Sequence, residues 1–301
     1  MPSERVTVAI PFHSGIEYLK EAVASVLGQT DPDWQLLVVD DGGREQGVEI
    51  WVASLRDARV TYLRNPRNLG MVRCWNRCLE AAGNDLVCLL HADDRWLPEY
   101  LARVKRLAAD HPGAVALFTG AVVIGAEGRP RRSFQDDIKR VFVPDAKGDL
   151  VLDGEAALRA VMRGNFLVCP SLCWRKRVLG ERRFDPAWHQ VQDLELVSRL
   201  LLAGERLAGS MAPAYAYRRH DASATARHTE SLLRFEEEFA LFDRVADGAR
   251  ERGWRGAERT ARSKVILRLH LLWRVWIDLL RLRWGTAGRS LRFLLAPRPR
   301  S

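Results

Sequence analysis

Leu86-Val87-Cys88-Leu89-Leu90-His91-Ala92-Asp93-Asp94 runs five apolar residues straight into a histidine and two adjacent carboxylates. An apolar run without polar alternation fits a strand covered on both faces, the condition of a parallel sheet. Three similar runs precede it, Val6-Thr7-Val8-Ala9-Ile10-Pro11, Leu36-Leu37-Val38-Val39 and Val60-Thr61-Tyr62-Leu63. Helical periodicity occupies the intervals at Glu17 to Leu27, Val48 to Leu55 and Met71 to Ala82, and returns from Pro98 to His111. The alternation predicts a doubly wound α/β domain with a mostly parallel sheet. Right-handed crossovers would then gather the C-terminal ends of the parallel strands on one rim, where ligands bind. Pro11-Phe12-His13-Ser14, Asp40-Asp41-Gly42-Gly43, Arg64 to Gly70 and His91-Ala92-Asp93-Asp94 occupy those ends, so two aspartate pairs converge there.

The 301 residues are 47% hydrophobic and 28% charged, which excludes a disordered chain and leaves enough apolar material for a sizeable core. The net charge of +9 would fit nucleic-acid binding if it were spread over the chain. It is concentrated instead. Between Arg255 and Ser301 twelve Arg or Lys face only Glu258 and Asp278, a local charge of +10, and the first 254 residues are close to neutral. Nucleic acid is therefore not an expected partner. Cys74, Cys78, Cys88, Cys169 and Cys173 are odd in number and fit neither zinc pairs nor a disulfide framework. Met1-Pro2-Ser3-Glu4-Arg5 leads directly into a strand without the apolar core of a signal peptide, giving an expectation of a cytoplasmic location.

An Asp after a strand can also serve as a helix cap or start a turn, as Gly42-Gly43 would suit. Two neighbouring carboxylates after a buried run repel each other, and a divalent cation relieves that repulsion. Mg²⁺ and Mn²⁺ take such hard oxygen ligands and share them with phosphates. A metal-diphosphate site at Asp93 and Asp94 is the sharper reading.

Five blocks in this order and spacing, Val6 to Pro11, Ala24-Ser25-Val26-Leu27-Gly28-Gln29-Thr30, Val38-Val39-Asp40-Asp41-Gly42, Asn68-Leu69-Gly70 and Leu89 to Pro98, resemble the family 2 glycosyltransferases of the GT-A fold. The resemblance covers most of residues 1 to 225 and thins between about 125 and 160. It implies that Pro11 and Phe12 flank a nucleotide base, that Asp41 accepts the uracil N3–H, and that Asn68, Gly70, His91 and Asp93 belong to the donor site. Asp93 and Asp94 match the acidic metal motif for Mn²⁺ or Mg²⁺, with the division of labour between them open. Many members carry Asp where this chain has His91. Val191-Gln192-Asp193-Leu194-Glu195-Leu196 resembles the segment holding the catalytic base, which places that role on Asp193. The N–H groups at a helix start favour an ionised carboxylate, which can take a proton from an attacking hydroxyl. Tyr217-Arg218-Arg219-His220-Asp221-Ala222-Ser223 looks like the family's donor-closing loop, with His220 completing the metal site and Arg218 or Arg219 neutralising the diphosphate.

The implied enzyme is an inverting, metal-dependent transferase moving sugar from a nucleotide-diphosphate donor, UDP-linked by expectation, to a glycan or lipid-linked acceptor in surface polysaccharide synthesis. A nucleotidyltransferase would share the sheet and the acidic site, but Phe12-His13-Ser14-Gly15 is not a triphosphate loop. A catalytically silent GT-A-like assembly protein remains the other alternative.

The organisation expected is a GT-A domain over 1–226, with a donor half to about 124 and an acceptor half beyond, and a helical basic extension over 227–301. Thr229 to Arg252 and Ala257 to Trp284 read as its two long helices. His270, Arg274, Asp278 and Arg281 share one helical face of the second, and the apolar remainder can either bury against the body or enter a headgroup layer. The basic residues beside Trp284, Leu291 and Phe293 favour peripheral contact with the inner face of the cell membrane.

Overall fold

A computed structural model of the chain describes residues 4–43, 45–131, 148–219 and 224–295. The four apolar runs form β1 (Val6–Phe12), β2 (Trp34–Asp40), β3 (Val60–Arg64) and β4 (Leu86–Leu89). Between and after them lie α1 (Ile16–Leu27), α2 (Val48–Ser54), α3 (Met71–Ala81) and α4 (Tyr100–Asp110). Then come β5 (Arg95–Trp96, before α4), β6 (Ala114–Ile124), β7 (Leu150–Leu152), α5 (Gly154–Gly164), β8 (Leu172–Arg175), α6 (Lys176–Leu179), α7 (Gln192–Leu202) and β9 (Arg206–Arg218). Five helices follow: α8 (Ala224–Ser231), α9 (Leu233–Glu251), α10 (Arg255–Ser263), α11 (Val265–Leu280) and α12 (Trp284–Leu295).

The sheet runs β3-β2-β1-β4-β8-β6-β9-β5, with β7 added on β9. The first four strands are parallel, and the longer β6–β9 ladder is parallel too. β8 lies antiparallel between β4 and β6, so the two parallel parts are joined by an inverted strand. Alternate β1 residues show why the runs lack polar positions. Val8 and Ile10 join an apolar cluster with α1, α2 and α4, whereas Ala9 joins the cluster of α3, α5, α7 and α9 on the other face.

Two expectations change. From about residue 125 to 225 the sequence pattern is less regular than before it, with a helix expected around Val191 to Ala203, yet the segment also holds β8 and the long β9. β9 carries Gly209, Ala212, Pro213 and three further Ala, which give little strand signal. The long helix expected from Ala257 to Trp284 is broken at Lys264 and Leu282, whose φ values are 47° and 57°, and the preceding one at Leu232, at 70°. The turn at Lys264 lets its ammonium pair with Asp243 of α9 and turns Leu267 and Leu271 into the core.

Backbone contacts stitch the rim. Asp41 N donates to the Phe12 carbonyl at 2.7 Å, and Asn65 N to the Asp40 carbonyl at 2.8 Å. Glu45 accepts from Gly15 N and Ile16 N at 2.6 and 2.9 Å, closing the start of α1. Gly43 passes so close to His13 that a Cβ there would meet the His13 carbonyl oxygen at 2.1 Å. Gly43→Ala must push these two loops apart, at a cost of about 1–3 kcal/mol. Thermal unfolding should show a lowered melting temperature, and an unchanged one would contradict this packing.

Candidate active site

The strand ends open on a cleft of about 1020 Å³. Its walls come from the loops after β1 to β4, the segment before β8, the start of α7, the end of β9 and two residues of α9. Pro11, Phe12, Asp41, Asn68, Gly70, His91, Asp93, Asp193, Arg218 and Arg219 all line it. His220 lies outside the described residues.

The two aspartate pairs divide in the same way. Asp40 is a structural acceptor: Gly43 N donates to it at 3.0 Å and the Tyr62 hydroxyl at 2.5 Å. Burial, then that bond and the Asp40 charge, push the Tyr62 hydroxyl up to about 12. Asp41 faces the cleft while holding the 65–70 loop. Its Oδ1 accepts from Asn65 Nδ2 at 2.8 Å and Leu69 N at 2.9 Å, and its Oδ2 from Gly70 N at 3.0 Å. A carboxylate has about four acceptor positions, so Oδ2 keeps capacity for one more donor.

In the second pair Asp93 lines the cleft and Asp94 lies beneath it, 1% exposed. Arg218 N donates to Asp94 Oδ1 at 2.6 Å and the Tyr215 hydroxyl to Oδ2 at 2.7 Å. Burial, reinforced by the Asp93 charge, nevertheless holds the Asp94 carboxyl well above the usual range. His91 stacks on Trp75 with centroids 5.0 Å apart, and its buried Nε2 has no hydrogen-bond partner. Burial lowers its pKa against the pull of Asp93, favouring the neutral imidazole with a free lone pair. Ligand atoms of His91, Asp93 and Asp94 lie within 4.8 Å of one another. Two carboxylates in mutual repulsion, with the His91 Nδ1 3.9 Å from Asp94 Oδ2, fit a divalent cation.

Arg218 is committed elsewhere. Its side chain is 0% exposed and donates to the Asp93 carbonyl (2.6 Å), the Ala126 carbonyl (2.6 Å) and Glu21 (2.5 Å), with Tyr18 beneath the guanidinium. Arg219, half-buried, lies 5.8 Å from the Tyr217 ring centroid.

Asp193 occupies the first turn of α7. Cys169 hydrogen-bonds to it, and burial first, then Asp193, push that thiol far up. The loop entering α7 is held from α8 and α9: Glu237 of α9 accepts from His189 N at 2.9 Å and Gln190 N at 2.7 Å, and His228 Nδ1 of α8 lies 2.9 Å from Gln190 Oε1. Arg234 and Glu238, paired at 2.9 Å, extend α9 into the cleft wall. Sequence reasoning missed Trp75, Tyr18 and these α9 residues. Glu236-Glu237-Glu238, ahead of a basic segment, was the available signal for the last.

Known proteins resemble this chain in sequence and in fold. The uncharacterized protein MT1568 of Mycobacterium tuberculosis is 31% identical over 134 residues, 44% of this chain and 38% of that one. The succinoglycan biosynthesis protein ExoO of Rhizobium meliloti is 25% identical over 270 residues, 87% of this chain and 76% of that one. The crystal structure of S. aureus TarS 1-349 in complex with UDP-GlcNAc shares the fold, with a TM-score of 0.60 at 16% identity, over 81% of this chain and 66% of that chain. This chain thus spans less than two thirds of MT1568 and of the TarS chain. Residues 7–167, more than half of the sequence, match Glycosyl transferase family 2, and the chain belongs to that family.

Proposed function

We propose that the chain is an inverting, metal-dependent glycosyltransferase that moves a sugar from a UDP-linked donor to a glycan or lipid-linked acceptor at the inner face of a bacterial cell membrane. The observation that carries this reading is that Asp93, from the β4 end, and Asp193, from the start of α7, line one cleft. The TarS relative in fold is described with UDP-GlcNAc, and ExoO is named for polysaccharide synthesis; both support the donor and acceptor classes.

Pro11 and Phe12 would bound the base, and the spare Asp41 Oδ2 position would take the uracil N3–H. Asn68 and Gly70 shape that loop. Asp93 would hold Mn²⁺ or Mg²⁺, with Asp94 and His91 around it and His220 as a further ligand. When bound, the ion supplies positive charge to the departing diphosphate. Asp193 would accept the proton of the acceptor hydroxyl as its oxygen attacks the anomeric carbon from the side opposite the leaving group. Inversion follows from a single displacement. Because Arg218 is occupied by Asp93, Ala126 and Glu21, the diphosphate charge falls to Arg219.

Asp193→Asn keeps the shape and removes the base. Transfer should fall about 10²–10⁴-fold while UDP binding persists. Full transfer by this variant would remove the assigned mechanism. The two arginines should separate by kind of defect. Arg219→Ala should slow transfer by about 10²-fold, whereas Arg218→Ala, which takes the donor from the Asp93 and Ala126 carbonyls, should lower stability by about 1–3 kcal/mol and the melting temperature by more than Arg219→Ala does. Equal melting temperatures for the two variants would contradict the division.

A further inference from the structure

Among the described residues, eleven of the fifteen exposed large apolar side chains lie between Val265 and Leu295. On α11 the exposed residues Leu269, Leu272, Trp273, Trp276 and Leu280 follow helical spacing and form one stripe. The polar side of the same helix points the other way. Asp278 is buried, Arg274 donates to the Thr229 and Glu230 carbonyls of α8, and His270 meets the Phe235 ring of α9 edge-on at 5.1 Å. Leu267, Leu271 and Val275 complete the inward face. The helix is thus inverted relative to an ordinary surface helix, with much of its apolar side outward although the core contact is already made. A contiguous apolar surface of this kind marks an interaction site.

The charges around the stripe identify the occupant. Arg268, Arg281, Arg283, Arg289 and Arg292 are exposed, and Asp278, the lone carboxylate from residue 265 to 295, is buried. A second copy of this face would bring the arginines of both copies together with no exposed carboxylate between residues 265 and 295 to pair them. An anionic lipid surface satisfies both features, taking tryptophan and leucine at the headgroup boundary and arginine at the phosphates. No helix among the described residues is long and apolar enough to cross a membrane, so α11 would lie in its plane. We propose that the outward face of α11, with the exposed residues of α12, seats in the headgroup layer of a membrane containing anionic phospholipid. This deepens the functional reading above. α9 stands between the two sites, touching α11 through Phe235 and lining the cleft through Arg234 and Glu238, so docking would hold the cleft close to a lipid-linked acceptor.

The test is cosedimentation of the full chain with phosphatidylcholine vesicles and with vesicles also containing phosphatidylglycerol. The chain should pellet with the second type and remain soluble with the first. Arg281→Gln with Arg283→Gln should weaken that binding by about 30-fold, and Trp276→Glu with Leu280→Glu should abolish it. All four residues are exposed, so melting temperatures should hold. Retention in the supernatant with both vesicle types overturns the proposal; if the chain is then an oligomer that the Trp276 and Leu280 changes dissociate, the face belongs to a protein contact. UDP titration of the same samples reads the functional proposal separately, since vesicle binding without UDP binding would sustain this inference and remove that one.

Discussion

A carboxylate that is almost wholly buried beside a second carboxylate must be satisfied from within the protein, and Asp94 organises this site through that requirement. Its two oxygens take the Tyr215 hydroxyl and the Arg218 amide, both from β9. The Arg218 guanidinium returns the link to the Asp93 and Ala126 carbonyls and to Glu21 of α1. These few bonds tie the β4 rim to the far part of the sheet, and the cleft lies between the parts so joined. The cost is electrostatic. Asp94 is held toward its neutral form by burial and by Asp93, and a cation at the pair would reverse that preference.

The parts of this arrangement legible in the sequence are those that rest on local pattern. Val6 to Pro11 and Leu86 to Leu90 are apolar throughout because both faces of their strands are covered, so their runs declared a parallel sheet, and the topology delivered Asp41 and Asp93 to one rim. The motif around Asp193 points to that residue, and it lines the cleft. β9 was not found: Ala208, Gly209, Ala212 and Pro213 have little strand preference, and the strand exists because β6 pairs along its length. Nor does periodicity reveal the breaks at Lys264 and Leu282, where neither glycine nor proline marks the turn. Arg218 read as a clamp for diphosphate because its partners lie far away in sequence, at Glu21, Asp93 and Ala126.

The C-terminal helices show the same limit. His270, Arg274, Asp278 and Arg281 share a stripe, which says that α11 is two-sided without saying which side faces inward. The structure turns most of that stripe toward α8 and α9 and leaves tryptophan and leucine outside. Leu267, Leu271, Ala257 and Ala261 meanwhile share one core cluster with Trp174 and Leu200, so these helices fold against the sheet layer. Through Glu237 they also hold the loop that presents Asp193. One group of helices therefore builds a wall of the cleft and carries the outward apolar face.

The central claim is that the rim between β1 and β4 binds a nucleoside diphosphate together with a divalent cation held at Asp93. Calorimetric titration of UDP into the chain with Mn²⁺, with EDTA, and with Asp93→Asn in Mn²⁺ tests it directly. The account predicts saturable one-to-one binding in Mn²⁺ and its loss in the other two. Equal binding in all three would contradict it.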